Sequence, residues 1–339
     1  METIRLEAHA KINLSLDVLR RRSDGYHEVR MVMQTLGLCD EIWLTPLPGK
    51  DEIILSPYCM ETRGAEYASA RASAAGSRGE PAAENNIFLL NRKEPLKSNG
   101  EEALPYDERN LMYRAAKLMR ETFGIRDGVR MQLLKRIPMA AGLAGGSADA
   151  AAVIRGMNDL FELHAEEEAL RELGVKIGAD VPYCLLGGTA FAEGIGERLT
   201  PLPPAPPCRV LLIKPKQGVS TKQVYEALRV GERPAEVHPD IDSVLSALQD
   251  KNIRKLCGEM GNILELVTEP LVPEIAKIKE AMLGLGAMGA LMSGSGPTVF
   301  GLFTDGGLLK QAAEAFRQGE YRMLADEVIE TEFYWIMAL

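Results

Sequence analysis

Eleven residues, Pro138-Met139-Ala140-Ala141-Gly142-Leu143-Ala144-Gly145-Gly146-Ser147-Ala148, carry the clearest chemistry in the chain. They follow a strand-like run, Val129 to Leu134, and lead into a helical pattern that puts Ile154, Met157 and Phe161 on one face. Glycine lets the backbone come close to a ligand because no Cβ stands in front of the N–H groups. The first turn of a helix leaves N–H groups unpaired and carries partial positive charge. Strand, glycine loop and helix start together make an anion cradle suited to a polyphosphate. The loop is not the common P-loop, because no Lys follows Gly146. The His-Arg-Asp and Asp-Phe-Gly motifs of protein kinases are also missing from the sequence. Taken alone, the loop is read equally well as a small-residue turn that packs a helix closely on a sheet.

Two further positions have the right chemistry and a plain structural competitor. Residues Ile4 to Val18 alternate between apolar and polar, so Lys11 and Asn13 point to the same face of one strand. A solvated strand face accounts for a single Lys there. Asp180 stands just before Val181-Pro182, where an aspartate ordinarily caps a helix start.

The bulk numbers narrow the function classes. With 339 residues the chain is long enough for two domains, and 46% hydrophobic with 26% charged residues is ordinary for a soluble globular protein. A formal net charge of -9 is a poor match for a nucleic-acid backbone. The five cysteines are odd in number and include no Cys-x-x-Cys, which argues against a disulfide framework or a zinc site and for a reducing, cytoplasmic location. Only Met1, Glu2 and Thr3 precede the first strand, so no signal or transit peptide is expected. The uncharged run Gly284 to Phe303 is broken by Ser293-Gly294-Ser295-Gly296-Pro297 and reads as loop then strand, not as a membrane span.

The elements that must position these residues are legible in outline. Ser23-Asp24-Gly25 is a turn signal, so Ile4–Val18 and Val29–Leu38 form a hairpin. Residues 58–104 lose all period and read as a surface insertion with a short helix near Ile87–Leu90. Asp107 or Asn110 caps a helix with the stripe Leu111, Ala115, Leu118 and Met119, ending at Gly124. A helix over Glu166–Leu173 and a strand and turn over Thr189–Leu199 follow. The proline-rich stretch Pro201 to Pro207 marks a boundary, giving domains 1–200 and 201–339. Beyond it come strand Val210–Ile213, helices at Thr221–Leu228, Ile241–Leu248, Ile253–Met260 and Pro273–Met282, strand Thr298–Phe303, helix Leu308–Phe316 and strand Glu330–Met337. Interleaved strands and helices indicate an α+β fold.

Three separated motifs carry a family resemblance. Ala10-Lys11-Ile12-Asn13, the loop Pro138 to Ser147, and Met292-Ser293-Gly294-Ser295-Gly296-Pro297 occur in the order found in the GHMP kinases. The chain resembles that family over nearly its whole length, the insertion excepted. Within it, Asp24-Gly25-Tyr26-His27, Asp107 to Leu111, Ile177 to Pro182 and Val219-Ser220-Thr221 are similar to the branch whose acceptor is a cytidine-diphosphate-linked methylerythritol. Ala144 and Ala148 depart from relatives that often carry Gly and Ser there.

The resemblance implies a two-domain α+β architecture. A ribosomal-protein-S5-like N-terminal domain and a ferredoxin-like C-terminal α/β sandwich would hold the active site between them. It implies ATP-dependent phosphorylation of the acceptor's 2-hydroxyl, with Asp180 as base and Lys11 as its partner. The loop Pro138 to Ala148 would hold ATP phosphates, with Ser147 contacting them or Mg²⁺; Asn110, Leu111 and Lys135 would border adenine. His27, Tyr26 and Tyr225 would take cytosine, and Asn13, Thr221, Gly294, Ser295 and Gly296 the rest of the acceptor. Read without the resemblance, His27 is a hairpin residue, Tyr225 helix core, Lys135 a solvated strand end, and Asp149 a helix-start charge. The competing functions are a homoserine or mevalonate type of kinase in the same family and a non-catalytic nucleotide-binding module. No nucleic-acid or membrane partner is expected, and the chain is expected as a monomer or weak homodimer.

Overall fold

The computed structural model describes residues 2–58 and 104–334. Almost all of the expected insertion, its short helix included, lies outside the described residues, as does Met337.

Two strands frame the molecule: β1 (Ile4–Arg21) and β2 (His27–Leu47), paired antiparallel from Ile4↔Leu44 to Arg21↔His27. The turn between them is closed by Asp24, whose carboxylate accepts from the Tyr26 N–H, with Gly25 at φ +89. β2 runs nine residues beyond the Leu38 expected from sequence, which lets it serve two neighbours besides β1. Its first part pairs with β5 (Thr189–Gly194) and its last part with β4 (Gly128–Leu134). β3 (Ile53–Pro57) and β6 (Arg198–Pro201) complete a six-stranded sheet in the order β3-β4-β2-β5-β6, with β1 on β2.

Two helices back one end of this sheet. α1 (Leu111–Phe123) is capped by Asn110 and closed by Gly124 at φ +66. Its buried residues are Met112, Ala115, Ala116 and Met119, one position round from the expected stripe, because Leu111 and Leu118 sit at the border of the core. α2 (Gly145–Leu160) buries Ala148, Ala150, Ala151 and Ala152, and these small side chains bring its axis close to the strands. At Gly156 a Cβ would fall 2.3 Å from Leu6 and 2.5 Å from Leu44. α3 (Glu167–Val175) and α4 (Val181–Leu186) follow before β5.

The remaining chain builds an antiparallel four-stranded sheet, β10-β7-β9-β8. β7 is Arg209–Lys214, β8 Gly289–Met292, β9 Val299–Phe303 and β10 Glu327–Glu332. α5 (Thr221–Leu228), α6 (Ile241–Gln249), α7 (Ile253–Glu259), α8 (Glu265–Leu271), α9 (Glu274–Gly284) and α10 (Gly306–Arg317) surround it. β10 starts three residues before the expected Glu330 and ends at Glu332. β8 and α8 were not legible: one is four residues long, and the other is seven residues with Pro270 inside.

The two sheets share apolar residues. Ile12, Leu14, Val32 and Leu36 of the hairpin pack in one cluster with Val210, Leu212, Phe300 and Leu302. This seam covers the face of the hairpin that carries Ile12 and Leu14. Lys11, Asn13, Ser15 and Asp17, on the opposite face and expected to be solvated, are buried as well, against the backbone at Leu143, Gly261 and Gly294 and the His238 ring.

Candidate active site

A cleft of about 1170 Å³ opens where the hairpin, the glycine loop and the Ser293–Ser295 loop converge. Every residue named above for catalysis, ATP or acceptor lines it, except Ala148 and Gly296. Ala148 points into the core under α2. At Gly296 a Cβ would meet Met292 at 2.5 Å and Thr268 at 3.2 Å, which places it behind the loop and away from the cleft.

The glycine loop takes its shape from three left-handed residues, Ala140 (φ 48), Gly142 (φ 74) and Ala144 (φ 55). Ala144 is the residue before α2, and no side chain caps that helix start. The first-turn N–H groups thus remain available to an anion at the cleft floor. An L-residue pays for the left-handed conformation, and glycine does not. Ala144→Gly is expected to raise stability by about 0.5–1 kcal/mol, the relieved strain exceeding the added chain entropy. Equilibrium denaturation of the two proteins measures it; a destabilised glycine variant would contradict it.

The loop is stitched to the rest of the molecule at both edges. The Lys11 N–H donates to the Leu143 carbonyl at 3.1 Å. The Ser293 hydroxyl donates to the Gly142 carbonyl at 2.9 Å. Asn262 holds the other side of that contact, its amide donating to the carbonyls of Met292 at 2.9 Å and Gly294 at 2.8 Å. Nothing in the sequence pattern marked Asn262, whose value lies in contacts about 30 residues away.

Beneath the loop lies a buried charge cluster. The Lys135 ammonium donates to Asp40 at 2.5 Å and Asp149 at 2.7 Å, and Asp40 also accepts from the N–H groups of Arg136 and Ile137. Burial works against the Lys135 charge, but Asp149 and Asp40 outweigh it and raise the ammonium above the usual lysine range. Lys135 is thus no solvated strand end, and Asp149 is a buried partner where an exposed helix-start charge was expected. The cluster fixes the chain entering the loop and lines the cleft at Lys135 and Asp149. Asn110 also lines it, but its side chain is committed to the cap of α1: it accepts from Met112 and donates to Pro105.

At the cleft centre, Lys11 is 4% exposed and its ammonium donates to Asn13 Oδ1 at 2.7 Å. The same Nζ lies 3.8 Å from Asp180 Oδ2. Asp180 occupies the position before α4, yet its side chain makes no capping hydrogen bond. Its carboxylate faces the cleft with its side chain 32% exposed. The helix-cap reading of Asp180 is thereby excluded. The Ser147 hydroxyl belongs to the same end: a Cβ on Gly178 would lie 3.8 Å from it.

The far end is aromatic. His27 at the base of the hairpin turn and Tyr225 on α5 have ring centroids 5.3 Å apart at 46°. Tyr26, at the hairpin tip, is 57% exposed. Thr221 lies one turn before Tyr225, on the same side of α5. Its hydroxyl is 2.8 Å from that of Ser295, joining α5 to the third motif. Burial, followed by the charge of Arg21, lowers the His27 imidazole below its ordinary range. At neutral pH this ring is uncharged, with one nitrogen donating and one accepting. The cleft also takes in Arg21, Lys222 and Glu226 at this end, which the sequence reading did not single out.

Residues 110–188 match the family described as GHMP kinases N terminal domain, and residues 235–322 that described as GHMP kinases C terminal. A curated relative from Lachnospira eligens, 4-diphosphocytidyl-2-C-methyl-D-erythritol kinase, is 45% identical over 96% of this chain and 97% of its own. The chain belongs to the GHMP kinase family. A Bacillus subtilis relative of the same name is 44% identical over 87% of this chain and 86% of its own. A crystal structure of 4-(cytidine 5'-diphospho)-2C-methyl-D-erythritol kinase aligns with TM-score 0.70 and 31% identity, covering 98% of this chain and all of that one. Homoserine kinase from Cytophaga hutchinsonii shares the fold of this GHMP kinase, at TM-score 0.68 and 19% identity. Among the described residues no helix is long and apolar enough to cross a membrane.

Proposed function

We propose that this GHMP kinase transfers the terminal phosphoryl group of ATP to the 2-hydroxyl of 4-diphosphocytidyl-2-C-methyl-D-erythritol, a step of non-mevalonate isoprenoid precursor synthesis, in the cytoplasm. The observation that carries the reading is the meeting of Lys11 and Asp180 at 3.8 Å beside the glycine loop, in a cleft whose other end is lined by His27 and Tyr225.

The phosphates of ATP rest on the unpaired N–H groups between Gly142 and Ser147. Adenine lies toward Asn110 and Leu111, which form a wall and not a set of free donors. The acceptor's hydroxyl is placed at Asp180, which takes its proton as the oxygen attacks phosphorus. The bond from that phosphorus to the ADP oxygen breaks, ADP leaves, and the ester remains on the acceptor. Lys11 balances the charge of Asp180 and adds positive charge beside the transferring group. Asn13 holds the ammonium in place through its carbonyl oxygen.

The donor set suits a magnesium ion brought by the nucleotide and held mainly by its phosphates. The Ser147 hydroxyl is the neutral oxygen at that end of the cleft, whereas Asp149 is engaged by Lys135. Magnesium, when bound, neutralises charge on the phosphate oxygens.

His27 pairs with the edge of cytosine, and Tyr225 and Tyr26 pack on its faces. The neutral ring is the form that can both donate and accept, and the lowered His27 keeps it so at pH 7. Acceptor KM should therefore stay flat above pH 6.5 and climb about tenfold per pH unit once the ring charges in acid. KM for ATP should not follow. His27→Ala should raise acceptor KM and leave that for ATP alone; equal effects on both would move His27 out of the cytosine subsite.

The test of the function is a substrate panel. Purified protein with MgATP is offered the cytidyl compound, homoserine and mevalonate, and ADP release is measured for each. Turnover confined to the cytidyl compound is expected; turnover of either small acceptor in its place overturns the reading.

A further inference from the structure

We propose that Glu7, His9 and Cys39 form a binding site for a borderline divalent transition ion, with Zn²⁺ the best match to the donors. None of the three lines the cleft. His9 and Cys39 are directly opposite in the β1–β2 pairing, and Glu7, two residues from His9, shares their face. One donor atom from each lies within 4.8 Å of the others. Cysteine spacing along the chain gave no hint of this, because the partner of Cys39 is supplied across the strands.

The surroundings are those of a prepared site. The pairing of β1 with β2 shifts register between His9 and Lys11, and the Leu36 carbonyl lies 3.0 Å from His9 Nδ1. A carbonyl only accepts, so Nδ1 is the donor to Leu36 and Nε2 is the nitrogen left for a ligand. That Nε2 is 3.5 Å from Glu7 Oε2. A proton or a metal ion joins two such atoms, and a metal ion would also take up the Cys39 sulfur that shares the cluster. Glu7 is oriented for it, since its other oxygen accepts from Arg5 at 3.3 Å. A histidine fixed by a backbone carbonyl and a carboxylate fixed by a further donor are the supports that metal ligands require. Tyr334 stacks on the His9 ring, with centroids 4.0 Å apart at 15°, and holds its plane. Nitrogen, thiolate and carboxylate suit zinc, which takes such donors at ~2.0–2.3 Å with a water in any remaining position. The side chain of Glu7 is 42% exposed, which leaves an entry path. The positive neighbours Arg5 and Arg136 are drawn to Glu41, which offsets part of their charge.

The experiment titrates chelator-treated, nucleotide-free protein with Co²⁺ and then Zn²⁺. One equivalent of Co²⁺ should bind and give a thiolate-to-cobalt charge-transfer absorption that Zn²⁺ abolishes. His9→Gln, which keeps a donor for Leu36, and Cys39→Ser should each weaken binding by more than the about 10–100-fold typical of losing an outer partner. Kinase turnover should be unchanged in both, which also shows them folded. No saturable binding, or a cobalt spectrum that survives Cys39→Ser, overturns the site; in that case Nε2 is protonated and His9 with Glu7 is an ion pair only.

Discussion

Asp180→Asn is expected to leave the fold intact and lower turnover by about 10²–10⁴-fold, the range for loss of a general base. The replacement has nearly the same shape, and the Asp180 side chain does not cap α4, so no helix depends on it. What is lost is the oxygen that takes the acceptor's proton. Lys11 remains near the phosphoryl group, so part of the electrostatic catalysis should survive. KM values should move little, because neither nucleotide nor acceptor is held mainly by Asp180. Single-turnover ADP release beside a thermal melt makes the separation: an unchanged melting temperature with slow chemistry is the expected pair. Chemistry at the native rate would remove Asp180 from the reaction, and a broken fold would return it to a structural role.

Gly142→Ala should have the second large effect, by a different route. Gly142 has φ +74, and a Cβ there would stand 2.2 Å from the Ser293 carbonyl oxygen. That atom is backbone, held by a loop that Asn262 fixes, so no side-chain rotation relieves the overlap. The glycine loop must move by an ångström or more, and the N–H groups aimed at the nucleotide move with it. Misplacement on this scale costs about 10²-fold, expected here in kcat/KM for ATP. Left-handed strain adds about 1–2 kcal/mol of destabilisation. Nucleotide titration and denaturation check the two parts. A variant that binds ATP at native affinity would mean that the loop accommodates a methyl group and does not set the phosphate position.

Local signals carried much of this fold. Thr221–Leu228 was legible to the residue because Ser220 caps it and its period is clean. The hairpin turn, the Asn110 cap and the glycine loop with its helix were also written locally. What escaped depends on distant partners. The alternation of β1 gave its direction but not its burial, since the Leu143 and Gly294 loops and Asp180, which cover Lys11 and Asn13, lie far along the chain. Lys135 looked like a solvated end until Asp40, 95 positions away, came to meet it. Gly296 belonged to a motif and was placed in the site for that reason, yet it packs against Met292 and Thr268. A run of residues can share a motif while only some of them face the ligand.

The stitching of Gly142 to Ser293 and of Leu143 to Lys11 has a mechanical consequence. The phosphate end of the cleft is riveted on both sides, whereas the hairpin tip at Gly25 and Tyr26 projects with open space around it. The aromatic mouth is thus the less tightly tied of the two ends.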